Sequence, residues 1–334
     1  MKAIRIHSYG EADVLHVEDV APTPLGPKDL RIAVKATSVN PIDYKLRSGA
    51  QRAIVPLSMP WTLGMDVSGV VTEVGAKVKG FAVGDAVFSS PSHKRMGCYA
   101  EDVVVRADEC ALKPDALTHV EAASLPMVGL TAWNALVDAC DVQPGQKVLI
   151  QAGSGGVGTV AIQLAKHLGA DVYTTCSGRN AELVEELGAD RVINYREERF
   201  EEVAQGCDAV LESMGGEHLE RAIGTVRPKG TIASITPGLP AYTKKHGAWL
   251  GVIVFGLYLI RRIVGARLKN GAKLRLVTRK ASGATLAKLA ELVDRGKIRP
   301  VIDRVFALDE AAEAHRYIET GRARGKVVLQ VAPA

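Results

Sequence analysis

The stretch Lys147-Val-Leu-Ile-Gln-Ala-Gly-Ser-Gly-Gly-Val-Gly-Thr-Val-Ala-Ile-Gln-Leu-Ala-Lys-His-Leu-Gly-Ala170 decides how this chain is read. It opens with an apolar run, Val148 to Ile150, after the turn residues Pro144 and Gly145, and that run reads as a buried parallel strand. Gly153, Gly155, Gly156 and Gly158 follow, and then Val157, Val160, Ala161, Leu164, Ala165 and Leu168 recur at helical spacing until Gly169 stops the helix. Strand, glycine turn and helix together form the dinucleotide-binding pattern G-x-G-x-x-G, filled by Gly153, Gly155 and Gly158. The first lets the chain turn sharply, the second lets a pyrophosphate reach the backbone, and the third lets the helix approach the sheet. The free amides and the positive end of the helix dipole then face the phosphates.

The next strand, Asp171-Val-Tyr-Thr-Thr-Cys176, selects the nucleotide. An NAD site usually ends this strand with an acid that grips the ribose 2′-hydroxyl. Here Ser177-Gly-Arg-Asn180 follows, with no acid. Ser177 and Arg179 suit a 2′-phosphate, because the guanidinium fork is planar and permanently charged. The alternative is a helix cap by Ser177 or Asn180 and a solvated Arg179. The missing acid favours NADPH over NADH.

Working outward, 334 residues allow two domains with substantial cores, and 24% charged with 47% hydrophobic residues is ordinary for a soluble protein. A net charge of +5 makes no case for nucleic acid, although basic residues cluster between Lys244 and Lys280. Cys98, Cys110, Cys140, Cys176 and Cys207 are scattered, without C-x-x-C, which suits reduced thiols. Met1-Lys-Ala-Ile-Arg-Ile6 starts as a strand without a signal-peptide apolar region, so the expected location is cytoplasmic.

Residues 1–118 read as β-rich, with runs such as Ala3–Ile6, Leu30–Val34, Val67–Val74, Ala86–Phe88 and Val103–Val105 between turn signals. From residue 119 helices and strands alternate, the mark of a doubly wound α/β fold with a parallel sheet. After about residue 284 that alternation stops, and the tail, 284–334, is expected to rejoin the β-rich domain, leaving 119–283 as the nucleotide-binding domain. An apolar insert near 248–262, Ala248-Trp-Leu-Gly-Val-Ile-Val-Phe-Gly-Leu-Tyr-Leu-Ile260 with Arg261 and Arg262, is short for a span of ~20 residues. It can cover the substrate cleft, form a subunit contact or lie in a membrane interface. A buried or subunit-contact helix is the favoured reading, and membrane contact is not.

Several motifs in one order resemble the medium-chain dehydrogenase/reductase superfamily, in its zinc-independent quinone oxidoreductase and enone reductase branch. They are Val39-Asn-Pro-Ile-Asp-Tyr-Lys-Leu-Arg-Ser-Gly49, Gly64-Met-Asp-Val-Ser-Gly69, Gly84-Asp-Ala-Val87, Gly129-Leu-Thr-Ala-Trp133, Ala152–Gly158, Ile193-Asn-Tyr195 and Gly325-Lys-Val-Val328. The resemblance implies a Rossmann-type sheet plus a discontinuous β-rich, GroES-like catalytic domain, and a homodimer. It also implies that Ser154, Gly155, Gly156, Val157 and Gly158 hold the pyrophosphate of NADPH, with Ser177, Arg179 and Tyr195 around the 2′-phosphate. Thr131 would then lie near the nicotinamide ribose, Ser234–Thr236 near its carboxamide and Lys326 near the phosphates. Zinc-dependent members have an early Cys and a Gly-His-Glu motif; here Asn40 and Met65-Asp66 stand there, so no metal is expected.

Without a metal, the hydride acceptor must delocalise charge readily, as a quinone or an α,β-unsaturated carbonyl does. Asn40, Asp43 and Lys45 lie in a segment that lines the substrate cleft of the resembling family. Lys45 is suited to stabilise charge on the substrate oxygen, while Asn40 and Asp43 have structural alternatives as a turn former and an ion-pair partner. The expected function is an NADPH-dependent reductase of such small molecules. The alternatives are an enoyl reductase with a lipid-like substrate, or a non-catalytic NADPH-binding scaffold with peripheral membrane contact.

Overall fold

The computed structural model describes residues 1–235 and 238–331. In chain order its strands are β1 (Lys2–Ile6), β2 (His16–Asp19), β3 (Asp29–Val39), β4 (Trp61–Thr62), β5 (Val67–Val74), β6 (Ala86–Ser89), β7 (Asp102–Arg106), β8 (Cys110–Leu112), β9 (Lys147–Ile150), β10 (Asp171–Cys176), β11 (Arg191–Asn194), β12 (Cys207–Glu212), β13 (Val226–Ser234), β14 (Lys273–Leu276), β15 (Ile302–Ala307) and β16 (Lys326–Gln330). The chain separates into two compact units, Met1–Leu130 with Lys280–Ala334, and Thr131–Arg279.

The second unit is a six-stranded sheet in the order β11-β10-β9-β12-β13-β14, parallel at every pairing. Helices in the crossovers cover the sheet, which is why Val148, Leu149 and Ile150 of β9 are all fully buried. The strand order reverses direction between β9 and β12, and the glycine turn leaves β9 at that switch point. Strand β14 has no counterpart among the expected strands. Its sequence, Lys-Leu-Arg-Leu, buries one residue of four, so it lacks the continuous apolar run that marks a buried strand.

The first unit holds a sheet in the order β15-β16-β3-β5-β6-β8, with β7 also on β3, and a small β2-β1-β4 sheet. Strand β16 runs antiparallel to β3, from Val327 opposite Val39 to Gln330 opposite Ala36, so the tail returns to the N-terminal sheet. Leu30, Ile32, Val34, Val67, Val71 and Val105 form one apolar cluster, and Ile4, Ile6, Leu46, Leu63, Tyr99 and Leu329 belong to another. Each fully buried aliphatic side chain of this kind contributes roughly 1.5–3 kcal/mol.

The apolar insert forms a helix of 23 residues, Ala248–Asn270, longer than the segment that stood out in the sequence. Of the two favoured readings, a buried helix or a subunit contact, the structure departs from the first. Phe255, Leu259 and Ala266 on one face are buried, whereas Leu257 is 63% and Leu268 82% exposed. The residues are apolar on both faces, and the unit covers one of them.

Candidate active site

In the second unit, the glycine turn is shaped by places where a side chain would not fit. A Cβ on Gly153 would collide with Thr174 Oγ1, and one on Gly158 with Ala152 O. At Gly155 the nearest atom to such a Cβ is Ala152 O at 3.3 Å, so the backbone there stays open to a ligand. The helix Gly156–His167 makes its first backbone bond from Thr159 N–H to Gly155 O, 2.9 Å, which leaves the amides of Gly156, Val157 and Gly158 ahead of it. Asn180 Nδ2 donates to Ser154 Oγ at 2.9 Å and ties the loop after β10 to the turn.

Tyr195 N–H donates to Cys176 O at 3.2 Å, which sets Tyr195 beside Ser177. Ser177 is 6% exposed, Tyr195 is 57% exposed and Arg179 is exposed; Ser177 and Arg179 follow β10, and Tyr195 follows the neighbouring β11. Asn180 Oδ1 and both ends of the Gln151 amide are buried without a hydrogen-bond partner among the described residues. A bound nucleotide can satisfy such atoms, and with the open Gly155 backbone the turn fits a dinucleotide. Thr131 is buried on the helix Pro126–Trp133. Ser234 Oγ donates to Glu212 Oε2 at 2.6 Å, and Thr236 lies outside the described residues.

The first unit assembles a buried polar network on the helix Pro41–Arg47. Asn40 N–H donates to Asp43 Oδ2 at 2.8 Å, one half of a capping box. The Asn40 amide donates to Asp66 Oδ2 at 2.8 Å and accepts from Lys326 Nζ. Asp66 also accepts from Ser38 Oγ at 2.6 Å, Met127 N–H at 2.7 Å and Lys326 Nζ at 3.4 Å. Lys326 is 4% exposed, and its third contact is Val39 O at 3.4 Å. In the first unit the ammonium spends its three protons on these acceptors, which compensate its burial. Burial holds it below the ordinary lysine range, against the pull of Asp66 and Asp43.

Asp43 is fully buried; Oδ2 also accepts from the Tyr99 hydroxyl at 3.1 Å, and Oδ1 has no partner among the described residues. Burial is the main cause that raises its carboxyl to about 7, with Asn40 N–H opposing and Asp66 adding. Tyr99 Oη lies 3.2 Å from His315 Nε2, and Arg47 Nη1 lies 3.2 Å from His315 Nδ1. Arginine can only donate, so Nδ1 accepts. Burial, then the Arg47 charge, push the imidazole down to about 3, so it is neutral and carries its proton on Nε2. The chain of donation then runs from Arg47 to His315 to Tyr99 to Asp43. Arg47 is 1% exposed and pairs with Glu319 at 2.7 Å. Lys45 is half-buried; its ammonium makes no hydrogen bond or ion pair among the described residues, and burial lowers it from the ordinary lysine range.

Family models match both parts of the chain: an alcohol dehydrogenase GroES-like domain over residues 26–115, and a zinc-binding dehydrogenase over residues 187–329. NAD(P)H oxidoreductase RTN4IP1, mitochondrial, of Mus musculus is 38% identical, over 99% of this chain and 89% of its own. The chain belongs to the medium-chain dehydrogenase/reductase superfamily, in its quinone and enone reductase branch. The 2-methylene-furan-3-one reductase of Solanum lycopersicum is 35% identical over 100% of this chain and 80% of its own. Among solved structures of the superfamily, the quinone oxidoreductase from Coxiella burnetii matches with a TM-score of 0.87 and 36% identity, over 99% of both chains. The Escherichia coli quinone oxidoreductase complexed with NADPH matches at 0.83 and 26%, over 99% of this chain and 100% of its own. The mouse relative is named as mitochondrial, so membership assigns this chain no compartment.

The family-model description raises the question of zinc, and the donors here do not fit it. Met65 is 3% exposed in an apolar cluster with Leu46 and Leu63, and the cation beside Asp66 is the Lys326 ammonium. Cys98 and Cys110 sit in another apolar cluster, with burial pushing the Cys110 thiol up to about 12. Among the described residues no group of three His, Cys, Asp or Glu could hold a metal.

Sequence reasoning missed Arg47, Asp66, Tyr99 and His315 as members of the network. Asp66 carried a usable signal, since an acid in an otherwise apolar stretch, Leu63 to Val71, calls for a buried partner. Asn40 and Asp43, expected as catalytic groups, are 2% and 0% exposed; the Asn40 amide and Asp43 Oδ2 are bonded within the unit, and Asp43 Oδ1 is not.

Proposed function

We propose that this chain is a metal-independent reductase that uses NADPH to reduce quinones or α,β-unsaturated carbonyl compounds. The observation that carries the NADPH reading is the end of β10, where Ser177 and Arg179, with Tyr195 beside them, stand in place of a carboxylate. A carboxylate there would repel the 2′-phosphate, whereas hydroxyl and guanidinium groups accept it. Relatives named as quinone oxidoreductase, 2-methylene-furan-3-one reductase and NAD(P)H oxidoreductase support the reaction class. The bound dinucleotide supplies the hydride.

The residues of the chain then have separate tasks. The amides of Gly156, Val157 and Gly158 hold the pyrophosphate, and Asn180 fixes Ser154 beside them. Asn40 and Asp43 are positioning residues: they bind the start of the helix that carries Lys45 to Asp66, Lys326 and Tyr99. The unpartnered Lys45 ammonium donates to the substrate oxygen on which negative charge develops. Its lowered affinity for a proton makes it a stronger donor than an exposed lysine.

The test is a panel of quinones, enones, alkenals and enoyl thioesters, assayed with NADPH and NADH, with and without a chelator. NADPH-specific turnover of a quinone or enone that survives chelation is expected. Equal use of NADH, or loss of activity on chelation, overturns the reading. Within the panel, Lys45→Ala lowers turnover of an enone by ~10²-fold while NADPH affinity stays nearly fixed. Unchanged turnover removes Lys45 from the mechanism and leaves the cofactor reading intact.

A further inference from the structure

The helix Ala248–Asn270 has an outer face that the second unit does not cover. Leu250, Ile253, Leu257, Ile260, Val264 and Leu268 are 54%, 58%, 63%, 60%, 47% and 82% exposed. Their spacing of three and four residues places them on one side of the helix. Trp249, 88% exposed, stands at the N-terminal end of this stripe. Scattered surface leucines need no explanation, but a continuous stripe over five turns does.

The charge around the stripe says what covers it. Between Glu220 and Glu291 the chain has no Asp or Glu and fourteen Lys and Arg, against a net charge of +5 for the whole protein. Exposed Lys245, Arg261, Arg267, Lys273 and Arg275 make no ion pair among the described residues. Arg261 and Arg267 fall on opposite flanks of the stripe at helical spacing. A second copy seated on this face would bring like charges together with no acid in the segment to pair them. An apolar strip edged by cations is complementary to a surface whose interior is apolar and whose headgroups are anionic.

We propose that this helix docks the protein on anionic lipid surfaces, lying in the interface plane with Leu257 and Ile260 near the centre of the contact. It does not span the bilayer, although its stretch Trp249–Leu268 is long and apolar enough. Its other face is committed to the second unit: Tyr242 packs on Phe255 at 5.4 Å, and Ala266 lies in a core with Leu274 and Val226. Insertion across a membrane would strip that face, whereas interfacial docking leaves it in place. The docking would concentrate the reductase where apolar quinones and enones partition. The lipid contact itself does not depend on the reductase reading.

Flotation of the whole protein with two vesicle types tests this: phosphatidylcholine alone, and phosphatidylcholine with an equal part of phosphatidylglycerol. The protein is expected to float with the anionic vesicles, to be released by high salt, and to bind neutral vesicles at least ~10-fold less. The double variant Leu257→Asp, Ile260→Asp is expected to lose flotation by a similar factor while keeping NADPH-dependent turnover, which shows that it is folded. Failure of the wild-type protein to float with anionic vesicles overturns the proposal, as does equal flotation of the double variant. A double variant that dissociates an oligomer, from a wild-type protein that does not float, overturns it in favour of a second copy. Absence of turnover in wild type and variant alike overturns the reductase reading alone, because flotation is read independently.

Discussion

The glycine turn makes its contacts close at hand: Asn180 meets Ser154 across 26 residues of chain. The network around Asp43 closes over nearly the whole chain, with Arg47 meeting His315 across 268 residues and Lys326 meeting Asn40 across 286. The turn consists of backbone amides and missing side chains, so it presents a surface to a ligand without burying any charge. The network buries Arg47, Asp43, Asp66 and Lys326 almost completely, and each stays buried because others compensate it. The two regions should therefore fail differently. Damage to the turn is read in cofactor binding, and damage to the network is read first in folding.

The largest effect expected from this contrast is at Arg47. Arg47→Met keeps the bulk of the side chain but leaves Glu319 and His315 Nδ1 without their cation and donor. Losing two charge-assisted contacts of the buried guanidinium costs ~3–5 kcal/mol, read as a fall in the urea midpoint. A loss below ~1 kcal/mol would show that the network is not cooperative and remove the distinction between the two regions.

Asp43 gives the next effect, and it depends on pH. Its carboxyl is raised from 3.8 to about 7 in the folded chain, so between those values the folded state holds a proton that the unfolded state has lost. Stability from this group therefore falls as pH rises through that window. His315 acts in the opposite sense: lowered from 6.5 to about 3, it costs stability as pH falls below 6.5. Because His315 is present in both proteins, comparing wild type with Asp43→Asn isolates the carboxyl. The amide keeps an acceptor for Asn40 N–H and Tyr99, and it cannot ionise. From about pH 5 to about pH 8, Asp43→Asn should gain on the wild type by about 2–3 kcal/mol in denaturant unfolding. A constant difference across that range would mean that Asp43 is already ionised at the lower pH.

The same contrast explains how much was readable beforehand. The second unit's strands from β9 to β13 follow from apolar runs and turn residues within each segment, and the glycine pattern carries its own geometry. The closeness of the chain at Ser177 to that at Tyr195 needed only that β10 and β11 be neighbours, which a doubly wound sheet supplies. The Lys326 contact, by contrast, depends on β16 pairing with β3 in one register, and nothing near residue 326 announces Asn40 as its partner. The His315–Tyr99 bond likewise joins a helix near the C-terminus to the segment before β7, 216 residues apart. Strand β14 was missed because its exposed Lys273 and Arg275 break the apolar run, and the exposure of the 248–270 helix because composition does not say which apolar face finds a neighbour.

Within the turn, Gly158→Ala adds a methyl group against Ala152 O and the Gly153 backbone, neither of which can swing aside as a side chain does. Overpacking of this kind costs ~1–3 kcal/mol. It should appear as a roughly 5- to 100-fold loss of NADPH affinity in a fluorescence titration, with a smaller shift in the urea midpoint than Arg47→Met produces. A larger loss of stability than of affinity would place the turn in the same class as the network.

The smallest effect is also the most discriminating. Arg179 is exposed, so replacing it leaves the apolar cores intact, and it lies two residues after Ser177, where the chain carries no acid. If the guanidinium holds the 2′-phosphate, Arg179→Ala removes one charge-assisted contact, worth ~1.5–3 kcal/mol at most and less at an exposed position in salt. The expected result is a rise of roughly 10-fold in KM for NADPH, with KM for NADH and turnover at saturation unchanged. The preference for the phosphorylated carrier then narrows by the same factor, and added salt shrinks the difference between wild type and variant. A parallel rise in KM for both carriers would assign Arg179 to the shared part of the nucleotide. No change with either carrier would leave Ser177 and Tyr195 to recognise the phosphate. That would be a weaker arrangement, because two neutral hydroxyls cannot offset the charge that the missing carboxylate merely declines to repel.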